Sequence, residues 1–413
     1  MPDGMKTYKL KNLASVQTGP FGSQLHQKDY VKNGTPILTV EHLGENRILH
    51  NDLPCISEQD RERLKKYSLL EGDIVFSRVG SVDRRAYVRK EEEGWLFSGR
   101  CLRIRPDCEL VDGKYLSYYF GLEAFKKYIR GIAVGATMPS LNTNILNEIV
   151  LQIPPLETQS RIASILSSLD DKIELNLQMN KTLEAIAQAI FKEWFVDFRF
   201  PGFDGELVDG LPKGWGKGKI SDIAVVTDCL HSKKPEKVKE ETGFILLQLE
   251  NIVDGGILDL SNKYYISEAD YKKWISRIEI STGDCIITNV GRVGAVARIP
   301  KNIKAALGRN MTGIRLRDGF PFPTFLIELL LSDIINVEVS KKKDVGTILE
   351  ALNVKNIPLL EFSLPDYSVL MAFEKLVSPI RNRIELNQAE NFNLSKMRDT
   401  LLPKLMSGKI RVP

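Results

Sequence analysis

No stretch of this 413-residue sequence stays apolar for long. The most apolar run, Phe325–Leu331, carries Glu328 in its middle, whereas a membrane-spanning helix takes ~20 apolar residues. The first residues, Met1 to Lys6, lack the apolar core of a secretory signal. Cysteine is scarce. Cys55, Cys101, Cys108, Cys229 and Cys285 are an odd set with no CxxC pair, and are read as reduced thiols in a cytoplasmic protein. The four histidines, His26, His42, His50 and His231, form neither an HExxH motif nor a His/Cys cluster, so no metal or other cofactor is expected. Neither sign of charge dominates: 57 basic against 53 acidic residues leave +4, which permits a nucleic-acid partner without demanding one.

Catalytic signatures are missing as well. There is no GxxxxGK[ST] loop for nucleotide phosphates and no GxSxG elbow. There is no FxGxG or [ND]PP[YF], which an adenine methyltransferase needs to hold the methyl donor and grip a flipped base. Ile153-Pro154-Pro155-Leu156 has the two prolines but no polar residue before them. Asp107 with Asp112-Gly113-Lys114 superficially resembles a nuclease metal site, yet the second half of the chain has only Asp318-Gly319 there. The Asp-Gly pair reads better as a turn.

What is present is a globular composition, 43% hydrophobic and 27% charged, long enough for two to four domains. The chain also repeats itself. Ile173–Asn176 recurs as Ile384–Asn387, an offset of 384 − 173 = 211. Gly72-Asp73 and Gly283-Asp284, Val79-Gly80 and Val290-Gly291, and Val134-Gly135 and Val345-Gly346 keep the same offset. Ser57-Glu58-x-Asp60 recurs as Ser267-Glu268-x-Asp270 at 210, a drift that small insertions explain.

Each copy opens with β-like runs bounded by Gly, Asn, Asp and Pro. In the first copy these are Pro36–Val40, Asp73–Phe76, Cys101–Arg105 and Ile149–Ile153, with a helical stretch near Tyr115–Arg130. Each copy closes with a long helix. After Pro154-Pro155, residues 162, 169, 176, 183 and 190 read Ile, Leu, Asn, Leu, Ile. Residues 165, 172, 179, 186 and 193, taken as the second seam line, read Ile, Lys, Met, Ile, Glu. In the second copy 373, 380, 387, 394 and 401 read Phe, Ile, Asn, Leu, Leu. Asn176 and Asn387 thus share one seam position, where asparagine fixes register at some cost in stability. The matched pair points to two helices that pack on each other; the alternative is that each packs separately on its own globular unit.

The polar loops carry the candidate binding residues. Gly19-Pro20-Phe21-Gly22-Ser23 is a compact loop whose backbone can approach a phosphate. Arg78, Ser81, Arg84 and Arg85 load what reads as a hairpin tip, whose counterpart holds Asn289 and Arg292. Arg100 follows Gly99 as Arg309, with Asn310 behind it, follows Gly308. Arginine binds phosphate oxygens or reads guanine with two parallel hydrogen bonds. Thr39, Glu41 and His42 match Gln248, Glu250 and Asn251. A shared scaffold with different polar edges suits two sites that recognise different sequences; solvated turns are the plain alternative.

These residues resemble the specificity subunits of type I restriction–modification systems. The resemblance rests on Gly19–Ser23, Gly72–Gly80, Ile153–Gln159, Phe191–Phe198, Gly210–Trp215 and Leu401–Gly408. It implies an α+β chain with two homologous mixed α/β target-recognition domains, 1–155 and 201–366. Helical spacers 156–200 and 367–413 would form an antiparallel coiled coil with pseudo-two-fold symmetry. It also implies double-stranded DNA as ligand, one half-site per domain, two methyltransferase subunits as partners, and motor–nuclease subunits in the complete enzyme. The second copy departs from the wording of the first, with Pro365-Asp366-Tyr367 for Pro154-Pro155-Leu156 and no GPFGS loop. The competing class is an enzyme, a DNA methyltransferase or nuclease with an unrecognised site; a coiled-coil scaffold without DNA contact is the third.

Overall fold

The structure, a computed structural model, describes residues 4–22, 24–135, 137–345 and 350–412. The chain divides into two compact units. One runs to Lys172 and takes the chain in again from Leu394; the other is Ile173–Asn393. Gly346, cited above for the repeat, lies outside the described residues.

In the first unit a four-stranded antiparallel sheet has the order Ala14–Thr18, Cys101–Pro106, Ile74–Ser77, Arg85–Tyr87. In the second the order is Ala224–Asp228, Met311–Leu316, Cys285–Thr288, Val296–Arg298. The register is shared too. Ile74 faces Ile104 and Tyr87, as Cys285 faces Ile314 and Arg298. Strands Ile74–Ser77 and Cys285–Thr288 are buried along their whole length because both faces are covered. Alternate side chains enter different cores. Ile74 and Phe76 join the cluster with Tyr115, Phe120 and Ile129, while Val75 packs with Ile37, Leu38 and Phe97.

Local chemistry explains why the repeated residues recur. Gly72 and Gly283 have φ of +94° and +90°, a region open to glycine. The following aspartate accepts a main-chain N–H three residues back, Leu70 to Asp73 at 2.8 Å and Ser281 to Asp284 at 2.7 Å. Each also holds an arginine from the neighbouring strand, Arg105 at 2.7 Å and Arg315 at 2.6 Å. Ser57 and Ser267 cap equivalent short helices, each accepting the N–H of Asp60 or Asp270 at 3.1 Å. Asp112, read above as part of a turn, is instead the cap of helix Gly113–Phe120, accepting Tyr115 N–H at 2.9 Å.

Two helices of 40 residues, Leu156–Phe195 and Tyr367–Met406, follow Pro155 and Asp366. Within the second unit they run antiparallel: Asn176 bonds to Asn391, and Asn387 to Asn180. Within the first unit Asp170 accepts Tyr118 Oη at 2.5 Å and Arg398 at 2.7 Å, while Leu405 and Met406 join the core with Ile162 and Leu166. The second seam line differs from the sequence reading. Leu166, Asn180, Ala187 and Trp194 are buried, whereas Ile165 and Ile186 are exposed. The line runs one residue later than the bulkiest side chains indicate, and its apparent breaks at Lys172 and Glu193 give way to Ile173 and Trp194.

Candidate nucleic-acid interface

In the first unit, the loop after strand Ala14–Thr18 packs back to back with Ser98-Gly99. A side chain at Gly19 would put its Cβ 2.1 Å from Ser98 O, and one at Gly99 would lie 2.3 Å from Pro20 O. Both positions therefore exclude any larger residue. Phe21 and Gly22 stand out in solvent. The Arg78 guanidinium lies 5.4 Å from the Phe21 ring centroid, within cation–π range, and donates to Gly99 O at 3.2 Å. Ser81 and Arg100 are exposed on the neighbouring turns. Ser23 lies outside the described residues.

Other candidates turn inward. Arg85, read as part of an exposed hairpin tip, is 2% exposed. It donates to Ser117 O at 2.7 Å and to Glu45 at 2.9 Å. It sits in the edge strand Arg85–Tyr87, so its side chain is directed by the pleat rather than by the turn. Burial raises the Glu45 carboxyl, but Arg85 and Lys126 outweigh it and hold the group below its ordinary range. Arg84 is half-buried and donates to Leu43 O at 3.0 Å and 2.5 Å and to Glu41 O at 3.4 Å.

The matched pairs Thr39/His42 and Gln248/Asn251 have a local role. His42 Nδ1 accepts Thr39 N–H at 3.2 Å, and Asn251 Oδ1 accepts Gln248 N–H at 2.8 Å. His42 and Asn251 are buried as closures of equivalent turns, while Glu41 and Glu250 point into solvent. Asn289 is also buried, accepting Thr312 Oγ1 at 2.9 Å and donating to Leu352 O at 3.2 Å. Arg292 donates to Ile252 O at 2.8 Å and pairs with Asp254.

The second unit gathers Gln248, Arg309 and Asn310 around one cleft of about 310 Å³, together with Lys234, Glu250 and Trp274. Trp274 and Leu246 are buried beneath it, and Lys234 Nζ lies 4.1 Å from the Tyr264 ring centroid. Nothing in the sequence singles out Trp274, since a lone tryptophan carries no pattern. Asp228, Cys229 and His231 form the one three-residue group of metal-ligand types among the described residues. Asp228 already holds His231 at 2.8 Å and Arg277 at 3.5 Å, a cation that a metal ion would have to displace. Burial pushes the Cys229 thiol up.

Residues 2–185 match the family described as the type I restriction modification DNA specificity domain. The type I restriction enzyme MjaIX specificity subunit of Methanocaldococcus jannaschii is 30% identical over 73% of this chain and 70% of its own length. The HindI specificity subunit of Haemophilus influenzae is 26% identical over 88% of this chain and 92% of its own. A solved type I S subunit from M. genitalium, 14% identical, shares the fold with a TM-score of 0.58 over 97% of this chain and 96% of that one. Duplicated units of one sheet order, differing in the polar groups at their loops, belong with these relatives: the chain is a member of the type I restriction–modification specificity subunits, the DNA target-recognition component of those systems.

Proposed function

We propose that each unit reads one half of a split duplex DNA target, and that the long helices carry two methyltransferase subunits that modify it. Restriction–translocase subunits join this assembly in the complete enzyme, and the chain itself does no chemistry. The observation that carries the reading is the pairing of one scaffold with two edges. Sheet order and the Gly-Asp turn are common to both units. The loop residues are not: Phe21 and Arg78 line one edge, and Gln248, Arg309 and Asn310 the other. Two sites of common descent and different chemistry fit two unlike half-sites.

The helices support two equivalent partners. Large apolar side chains stand in solvent at matching positions: Ile165 and Leu376, Leu175 and Leu386, Ile186 and Met397. Each pair is 211 apart (376 − 165, 386 − 175, 397 − 186). Isolated exposed apolar residues are ordinary. Three recurring at one offset outside the buried seam suit the same partner docking twice.

The test is to co-purify the chain with its methyltransferase partner, expose DNA to the complex and map the methylated adenines. A two-part motif with a fixed unread gap is expected. A single continuous motif, or methylation by the rigorously purified chain alone, would overturn the reading.

A further inference from the structure

Most of the candidate arginines are committed to the protein itself. Arg78, Arg84, Arg85 and Arg292 each donate to a main-chain carbonyl. Arg309 is exposed and has no hydrogen bond or ion pair to any described residue.

Its loop is also unlike that of the first unit. Residues 98–100 join strands Leu96–Phe97 and Cys101–Pro106; residues 307–310 join Ala305–Ala306 and Met311–Leu316. The second loop is one residue longer. Main-chain bonding locates the difference. Arg78 N–H donates to Arg100 O at 2.8 Å, and Asn289 N–H to Asn310 O at 2.9 Å. Asn310 therefore takes the backbone place of Arg100, and Arg309 belongs to the lengthened part.

The added residue is firmly mounted. On one side Gly308 lies so close to Leu247 O that a Cβ would be 2.1 Å away. On the other, Asn310 holds a left-handed φ of +67°, a region that asparagine tolerates better than most side chains and that shapes the turn here. Its carbonyl is tied to Asn289, itself buried and bonded to Thr312 and Leu352. Beside Arg309 stands Gln248, whose amide NH2 is occupied by Leu246 O and Leu247 O at 3.2 Å and 2.9 Å. A fixed backbone bearing a free guanidinium is preorganised for planar, two-pronged recognition.

We infer that Arg309 is a specificity-determining residue of the second unit and reads the O6/N7 edge of one guanine in its half-site. This rests on the recognition reading above. The experiment uses the chain complexed with its methyltransferase partner, as wild type, Arg309→Ala and Arg309→Lys. Methylation motifs are mapped, and binding is titrated on duplexes with single base-pair changes across both half-sites at several salt concentrations. The wild type should prefer guanine at one position of one half-site by about 5- to 150-fold. The alanine variant should lose that preference and leave the other half-site unchanged. The lysine variant should keep the salt dependence while losing most of the discrimination, because an ammonium lacks the fork. An alanine variant whose motif is intact overturns the inference. So does an even loss of affinity across all sequences with a salt slope smaller by about one, the mark of a phosphate contact. A wild-type complex without a two-part motif overturns the recognition reading itself, which separates the two failures.

Discussion

Asn176 donates its side-chain amide to Asn391 at 2.9 Å, and Asn387 donates to Asn180 at 2.8 Å. Since 387 − 176 and 391 − 180 are both 211, this is one interaction made twice with the helices exchanged. All four residues are buried. A buried amide that loses its partner costs about 1–3 kcal/mol, whereas replacing both partners by apolar groups is close to neutral. Asn180→Leu alone should destabilise the second unit by that amount, and Asn180→Leu with Asn387→Leu by much less. Denaturant titration of the four members of this cycle reads the coupling. Strictly additive losses would show that the amides act independently.

The same asparagines mark how far the sequence was legible. The 211-residue offset disclosed the duplication because Gly-Asp turns, serine caps and seam residues are each fixed by local backbone chemistry. The second seam line was harder to place. Ile165 and Leu166 are both apolar, as are Ile186 and Ala187, and hydrophobicity favours the wrong member of the second pair. Only tertiary contact shows that Ala187 is buried and Ile186 exposed; with the line moved, Asn180 becomes a seam residue. The loops were legible in composition but not in direction. Arg84 and Arg85 are neighbours in sequence, yet Arg84, in the turn, reaches the Leu43 carbonyl, while Arg85, the first residue of the strand, is sent into the protein by the pleat.

That difference gives a second prediction. Arg85→Ala strands the Ser117 carbonyl and empties the space beside Gly121, whose Cβ position is 2.0 Å from Arg85 Nη2. A loss of about 1–3 kcal/mol of stability in the first unit is expected. Measured well below the melting temperature, DNA affinity of the folded variant should match wild type. A variant of unaltered stability that binds DNA weakly would return Arg85 to the interface.

Acid sensitivity of the second unit should depend on Glu338. Lys342, Lys341 at 3.0 Å and the N–H of Glu361 at 3.3 Å bond its carboxylate. With Lys342 as the largest cause, they lower its pKa from 4.5 to about 2. A carboxyl with a lowered folded pKa stabilises fully above its unfolded value and loses that contribution as pH falls through the folded one. Stability should therefore drop between pH 4.5 and about 2. Glu338→Gln should flatten that limb and lower stability at neutral pH. Thermal melts across this range compare the two proteins; superimposable acid limbs would remove Glu338 from the account.

The exposed residues of the long helices bear on how many methyltransferase subunits the chain carries. Leu175 is 52% and Leu386 63% exposed, at equivalent points of the repeat. Neither contributes to the buried seam, so Leu175→Glu and Leu386→Glu should leave the melting temperature nearly unchanged. Burying a leucine in an interface is worth about 1.5–3 kcal/mol, and forcing a carboxylate there adds a desolvation penalty. Each substitution should thus weaken one docking event by more than about tenfold. If the two faces receive two copies of one partner, sedimentation should give a ratio of two for wild type, one for either single variant and none for the double. The singles should also differ in which strand of a two-part site stays unmethylated, because each leaves a different copy in place. Full occupancy in the double variant would place the docking surface elsewhere. A single variant that loses both copies together would mean that the two partners bind as one cooperative unit and not at independent, repeated faces.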